Sequence, residues 1–122
     1  MSQAITVIWV AVIPVIVTGR NLEMTDGLIV KQPYADEIMS GEKVAEYRVK
    51  KLPEDKYYVD VYILSGGHIL GTVSFDKCDE FKDGFEWHVR KVEKLSRPVR
   101  YIHPKGARVW IREVVPHDIQ EK

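Results

Sequence analysis

Lys43, Glu46 and Arg48 put two cations and a carboxylate on six consecutive residues of backbone. Arginine forks onto a phosphate and lysine supplies a compact point charge. A carboxylate accepts from an exocyclic amine, holds a neighbouring arginine in place, or serves as a general base. Together they suit a cleft that meets a polyanion or a nucleobase. The alternative is a solvated ion-pair face, which contributes little to stability. A second constellation lies near the other end of the chain, where Arg108, Trp110 and Arg112 alternate with Val109 and Ile111. With the apolar pair turned to the core, an indole between two guanidiniums forms a platform for a base and its phosphates. Alternatively, Trp110 caps the core while the arginines face solvent.

The first constellation needs a helix, a turn and a strand to position it. Pro33 suits a helix start, and Asp36 and Glu37 suit the positive end of the helix dipole. Tyr34, Ala35, Ile38 and Met39 share a face at helical spacing, so a helix is expected over residues 33–40. Gly41 suits the left-handed C-cap. The period then changes to two over residues 44–50. Ala45, Tyr47 and Val49 are expected to face the core, with Val44, Glu46, Arg48 and Lys50 on the opposite face.

Residues 31–48, KQPYADEIMSGEKVAEYR, carry the spacing K-x-x-Y-A-x-x-I-x-x-G-x-K-x-x-E-x-R through Lys31, Tyr34, Ala35, Ile38, Gly41, Lys43, Glu46 and Arg48. This resembles the ASCH domain family, a branch of the PUA-like β-barrels. The later segments GTVSF (71–75) and ARVWIREV (107–114) fit more loosely, and the resemblance spans about residues 27–115. It implies a small PUA-like barrel, mainly β with short helices (α+β), with a charged cleft and a link to RNA or nucleosides. The expected function is an RNA-binding module contacting its ligand through Lys31, Lys43, Glu46, Arg48, Arg108, Trp110 and Arg112.

Some ASCH relatives are amidohydrolases of acylated cytidines, in which the lysine matched by Lys43 assists a threonine nucleophile three residues on. Here that position is Glu46. The alternative function is therefore a small nucleoside-directed hydrolase, an N4-acylcytidine amidohydrolase or a ribonuclease, with Lys43 and Glu46 catalytic only in that case. The missing hydroxyl weighs against it.

Composition sets wider limits. A chain of 122 residues is one domain's worth and buries about two-thirds of its unfolded surface without staples. Net charge is zero, but charge is segregated along the chain. Residues 90–112 hold Arg90, Lys91, Lys94, Arg97, Arg100, Lys105, Arg108 and Arg112 against Glu93, whereas Asp76, Asp79, Glu80, Asp83 and Glu86 outnumber Lys77 and Lys82. This is either two solvated faces or a footprint for a polyanion. Cys78 is the sole cysteine and the four histidines have no metal-ligand spacing. No metal, cofactor or membrane partner is expected, and a cytoplasmic location fits the lone thiol.

Short strands with turn signals are expected over residues 28–31, 57–64, 69–75, 99–102 and 107–115, with a hairpin at Ser65, Gly66, Gly67 and His68. Residues 76–87 read as an acidic connection with a helical turn, and residues 89–95 as either strand or helix.

The apolar run AITVIWVAVIPVIV (4–17) is too short to span a bilayer as a helix and lacks the flanks of a signal peptide. Residues 1–23 are expected to be an extension of a domain formed by residues 24–122, with Met24 as an alternative translation start. The run could also be a short anchor or an added strand. A protein beginning at Met24 is expected to melt as cooperatively as the full chain; a truncated form that is unfolded or loses cooperativity would assign residues 4–17 to the core.

Overall fold

The computed structural model describes residues 24–117. The apolar run 4–17, and with it the expected extension 1–23, lies outside them. Six strands and one α-helix are present among the described residues: β1 (Thr25–Ile29), α1 (Tyr34–Ser40), β2 (Ala45–Arg48), β3 (Asp60–Ser65), β4 (His68–Phe81), β5 (Gly84–Arg100) and β6 (Trp110–Val114). They form a mixed sheet of order β2-β5-β4-β3-β1-β6. Strand β1 runs parallel to β3, with Leu28 opposite Ile63, and the other neighbours are antiparallel.

The expected closed barrel is corrected by this order. The hydrogen-bonded ladder ends at β2 and β6, which do not pair. Side chains occupy the seam instead: an Arg48 Nη2 group on β2 donates to the Ile29 carbonyl of β1 at 2.8 Å. These strands stand four places apart in the sheet, so the sheet must curl strongly for one side chain to join them.

Strand β3 is buried on both faces, which matches its unbroken apolar run VYIL. Val61 and Ile63 enter a core with Leu28, Val73, Phe75, Trp87 and Val92, covered by Ala35, Ile38 and Met39 of α1. Tyr62 and Leu64 enter a second cluster with Ile69, Leu95, Val99, Tyr101, Ile111 and Val114. Helix α1 ends at Gly41, whose φ of 86° is the left-handed conformation expected there. Tyr34 departs from the expected face and is exposed.

The expected hairpin joins β3 to β4, with Gly66 and Gly67 at φ 58° and 81°. Residues 76–87 are neither connection nor helical turn. They are the distal half of a long β4–β5 hairpin, which also settles residues 89–95 as strand. The two-residue turn is Lys82–Asp83, with Lys82 at φ 54° and Gly84 already paired with Phe81. Gly84 is needed there for close approach: a Cβ would lie 2.6 Å from the Arg48 carbonyl and 2.8 Å from the Tyr47 hydroxyl.

A bulge marks the β1–β6 pair between Thr25 and Gly27. Opposite it, Glu113 adopts φ 48°, a conformation unfavourable for a residue with a Cβ. Asp26 holds the bulge, accepting the Glu113 N–H at 3.0 Å and pairing with Lys56 Nζ at 2.9 Å. Burial pushes the Asp26 carboxyl up, but the Glu113 N–H and Lys56 outweigh it and leave it below its ordinary range. A depressed carboxylate contributes stability that is present above its unfolded range and lost as pH falls through its folded value. Asp26→Asn is expected to lower stability by about 1–2 kcal/mol at neutral pH. The difference in melting temperature from wild type should shrink as pH drops from 5 towards 2; a difference independent of pH would contradict this role.

Candidate nucleic-acid interface

Strand β2 is only four residues long, and its faces are the reverse of those expected. Glu46 is 6% exposed, whereas Tyr47 is 41% and Val49 73% exposed. The carboxylate enters the core side, and Tyr47 and Val49 face out while Ala45 is half-buried. Register explains it: Glu46 stands opposite Trp87, the largest inward side chain of β5, and Tyr47 stands opposite Glu86. On the outer face Tyr47 meets Phe81 edge-on, with ring centroids 5.9 Å apart. Alternation along β2 could not fix its phase, since a shift of one residue exchanges the faces.

A buried carboxylate must be paired. Glu46 Oε2 accepts from Arg48 Nε at 2.7 Å, and Oε1 lies 3.6 Å from Lys43 Nζ. Lys43 also donates to the Ala45 carbonyl at 2.6 Å and lies over the Tyr34 ring at 5.7 Å. Arg48 spends Nη2 on Ile29 and lies 5.8 Å over the Trp87 ring. Lys43, Glu46 and Arg48 thus converge, but both cations are largely occupied by the protein itself.

Trp87 connects this group to the second constellation. Its indole stacks on Trp110 of β6, at 6.0 Å between centroids and 15° between planes. Its Nε1 donates to the Lys50 carbonyl at 3.0 Å. Lys56 Nζ lies 5.4 Å over the Trp110 ring. Burial pulls the Lys56 ammonium down, but Asp26 and Asp55 outweigh it and raise it overall.

Of the two readings of Arg108, Trp110 and Arg112, the geometry matches the one in which Trp110 caps the core and the arginines face solvent, and no outward indole platform forms. Trp110 packs against the core with Trp87, Arg108 and Arg112 are exposed, and Val109 is exposed too. The Glu113 bulge alters the alternation that the sequence alone would suggest. Lys31 is exposed, two residues beyond the carbonyl that anchors Arg48. Trp87 and Lys56 were missed as members of the site. A lone tryptophan in an acidic segment and a lysine in a polar loop carry no local signal of it.

Among the described residues, no group of three or more His, Cys, Asp or Glu side chains could hold a metal ion. No helix among them is long and apolar enough to cross a membrane.

Arg48 and Lys43 should differ sharply on removal. Arg48→Ala leaves Glu46 buried with one distant cation and is expected to cost about 2–3 kcal/mol. Lys43→Ala removes a partly exposed partner and should cost less than about 1 kcal/mol. Denaturant melts of the two variants check this, and the double variant Glu46→Gln/Arg48→Ala should recover part of the Arg48 loss. Equal losses for Arg48 and Lys43 would contradict the geometry.

No curated protein matches the chain. A family model for the ASCH domain matches residues 28–115, which include the whole Lys43–Glu46–Arg48 group, both stacked tryptophans and every strand except the start of β1. The chain belongs to the ASCH domain family.

Proposed function

We propose that this ASCH domain, a PUA-like module of a kind generally linked to RNA, binds RNA at the seam between β2 and the β1–β6 edge. The observation that carries the reading is the buried carboxylate of Glu46, which fixes Lys43 and Arg48 beside a stacked indole pair. Burying a charge is costly unless it is paired, and this one preorganises two cations at the place where the sheet is left open. Lys43 is the residue of the group best able to meet a phosphate, because its ammonium has three donors and its side chain remains 24% exposed. Arg48 acts mainly as a positioning residue. Lys31, Arg108 and Arg112 supply exposed charge for the same ligand.

Hydrolysis is the weaker reading. Both Glu46 oxygens face a cation, so the carboxylate is poorly placed to take a proton from water. Thr72 and Ser74 lie on β4 and engage Glu93 and Arg90.

Binding to a single-stranded RNA, followed by fluorescence anisotropy across a salt series, tests the proposal. Lys43→Ala is expected to weaken binding and to reduce the slope of log K against log[salt] by about 0.7, the contribution of one phosphate contact on a single strand. The same preparations should release no cytidine from N4-acetylcytidine at a useful rate. Unchanged RNA affinity in Lys43→Ala removes the seam from the function; rapid cytidine release abolished by Lys43→Ala promotes the hydrolase.

A further inference from the structure

The β4–β5 hairpin carries opposite charge at its two ends. Around the tip, residues 76–86 hold five carboxylates and two lysines. At the other end, β5 pairs His68 with Arg100 and Gly71 with Lys94. The strand directions gather the C-terminal ends of β1, β3 and β5 there, together with the loop 101–109 that carries Lys105 and Arg108.

The cations along β5 are in unlike situations. Lys91 lies 3.4 Å from Asp60 and 3.8 Å from Glu93, so its charge is spoken for. Arg90 lies over the Tyr58 ring. Lys94, Arg97 and Arg100 are exposed and form no ion pair among the described residues. A bulge presents Arg97, and Lys94 and Arg100 flank it on the ladder. Ile69 stands opposite Val99 and Gly71 opposite Lys94, so Leu70 alone faces residues 95–98. Leu95 turns into the second apolar cluster, and Ser96, Arg97 and Pro98 project outward. Proline is at home in such a bulge, because it has no N–H to donate to a ladder.

We propose that Lys94, Arg97 and Arg100 form a second phosphate-contact surface for the backbone of an RNA strand, made of residues distinct from the Lys43–Glu46–Arg48 group. It rests on the reading of the chain as an RNA-binding module. A chain of zero net charge has no overall field to attract a polyanion, so attraction must come from local concentration of unpaired cations. This end supplies it. The surface reads charge and carries no base specificity.

The test compares full-length protein, Lys43→Ala, the triple variant K94A/R97A/R100A and a charge-matched triple K51A/K77A/K82A for binding one single-stranded RNA across a salt series. Thermal melts confirm that each variant is folded. Each phosphate contact on a single strand contributes about 0.7 to the salt slope, so the first triple is expected to lower the slope by about two and the matched triple to leave it unchanged. An unaltered slope in the first triple, or equal losses in both triples, overturns the proposal. Loss confined to Lys43→Ala overturns it and leaves the seam intact; loss confined to the first triple supports it and removes the seam. No binding by the unsubstituted protein overturns both readings. Low-salt self-association that the first triple abolishes, with RNA affinity unchanged, overturns it by assigning this end to a second copy.

Discussion

The pairing of buried Glu46 with Arg48 is the interaction on which the seam depends. A carboxylate inside an apolar core is tolerable only with its oxygens satisfied, and Arg48 does this through Nε at 2.7 Å. The geometry that satisfies Glu46 also aims the remaining guanidinium edge at the Ile29 carbonyl. One ion pair therefore fixes the short strand β2, occupies the gap left by an unclosed sheet, and sets the position of Lys43. A four-residue strand has few ladder bonds of its own, so side-chain anchoring matters more for it than for the long hairpin beside it.

Aromatic packing extends that constraint across the molecule. Trp87 takes the guanidinium over its ring, donates to the Lys50 carbonyl, meets Phe75 edge-on at 5.8 Å and stacks on Trp110. Stacked and edge-on pairs add a modest amount beyond the area they bury. Their larger effect is geometric: Trp110 brings β6 to the seam, and Lys56 over Trp110 ties in the Asp26 cluster that holds the Glu113 bulge. The charged group of β2 and the bulge at the far edge of the sheet are thus joined by an unbroken series of contacts.

This arrangement explains why much of the charge near the seam is structural. Arg48 and Lys56 each have protein partners at hydrogen-bond distance, which limits what either can offer a ligand. Lys43 also donates to the Ala45 carbonyl but stays 24% exposed, and the exposed cations at the bulge end of β5 have no ion-pair partner among the described residues. Affinity for a polyanion and integrity of the fold therefore draw on different cations, although they belong to the same sequence motif or the same strand.

Several features were legible in the sequence because their physics is local. Gly41 after Ala35, Ile38 and Met39 specifies where α1 stops, and Gly66–Gly67 specifies a turn that needs two positive φ values. The spacing of Lys31, Tyr34, Ala35, Ile38, Gly41, Lys43, Glu46 and Arg48 carries the family. The open sheet, the inward face of β2 and the alliance of Trp87 with Trp110 were decided by tertiary structure. Strand alternation has two phases of equal local merit, and the choice between them lies with the partner strand. Here Trp87 opposite Glu46 draws that face inward, and only the fold brings Arg48 within reach of the carboxylate and the Ile29 carbonyl that make a buried charge tolerable.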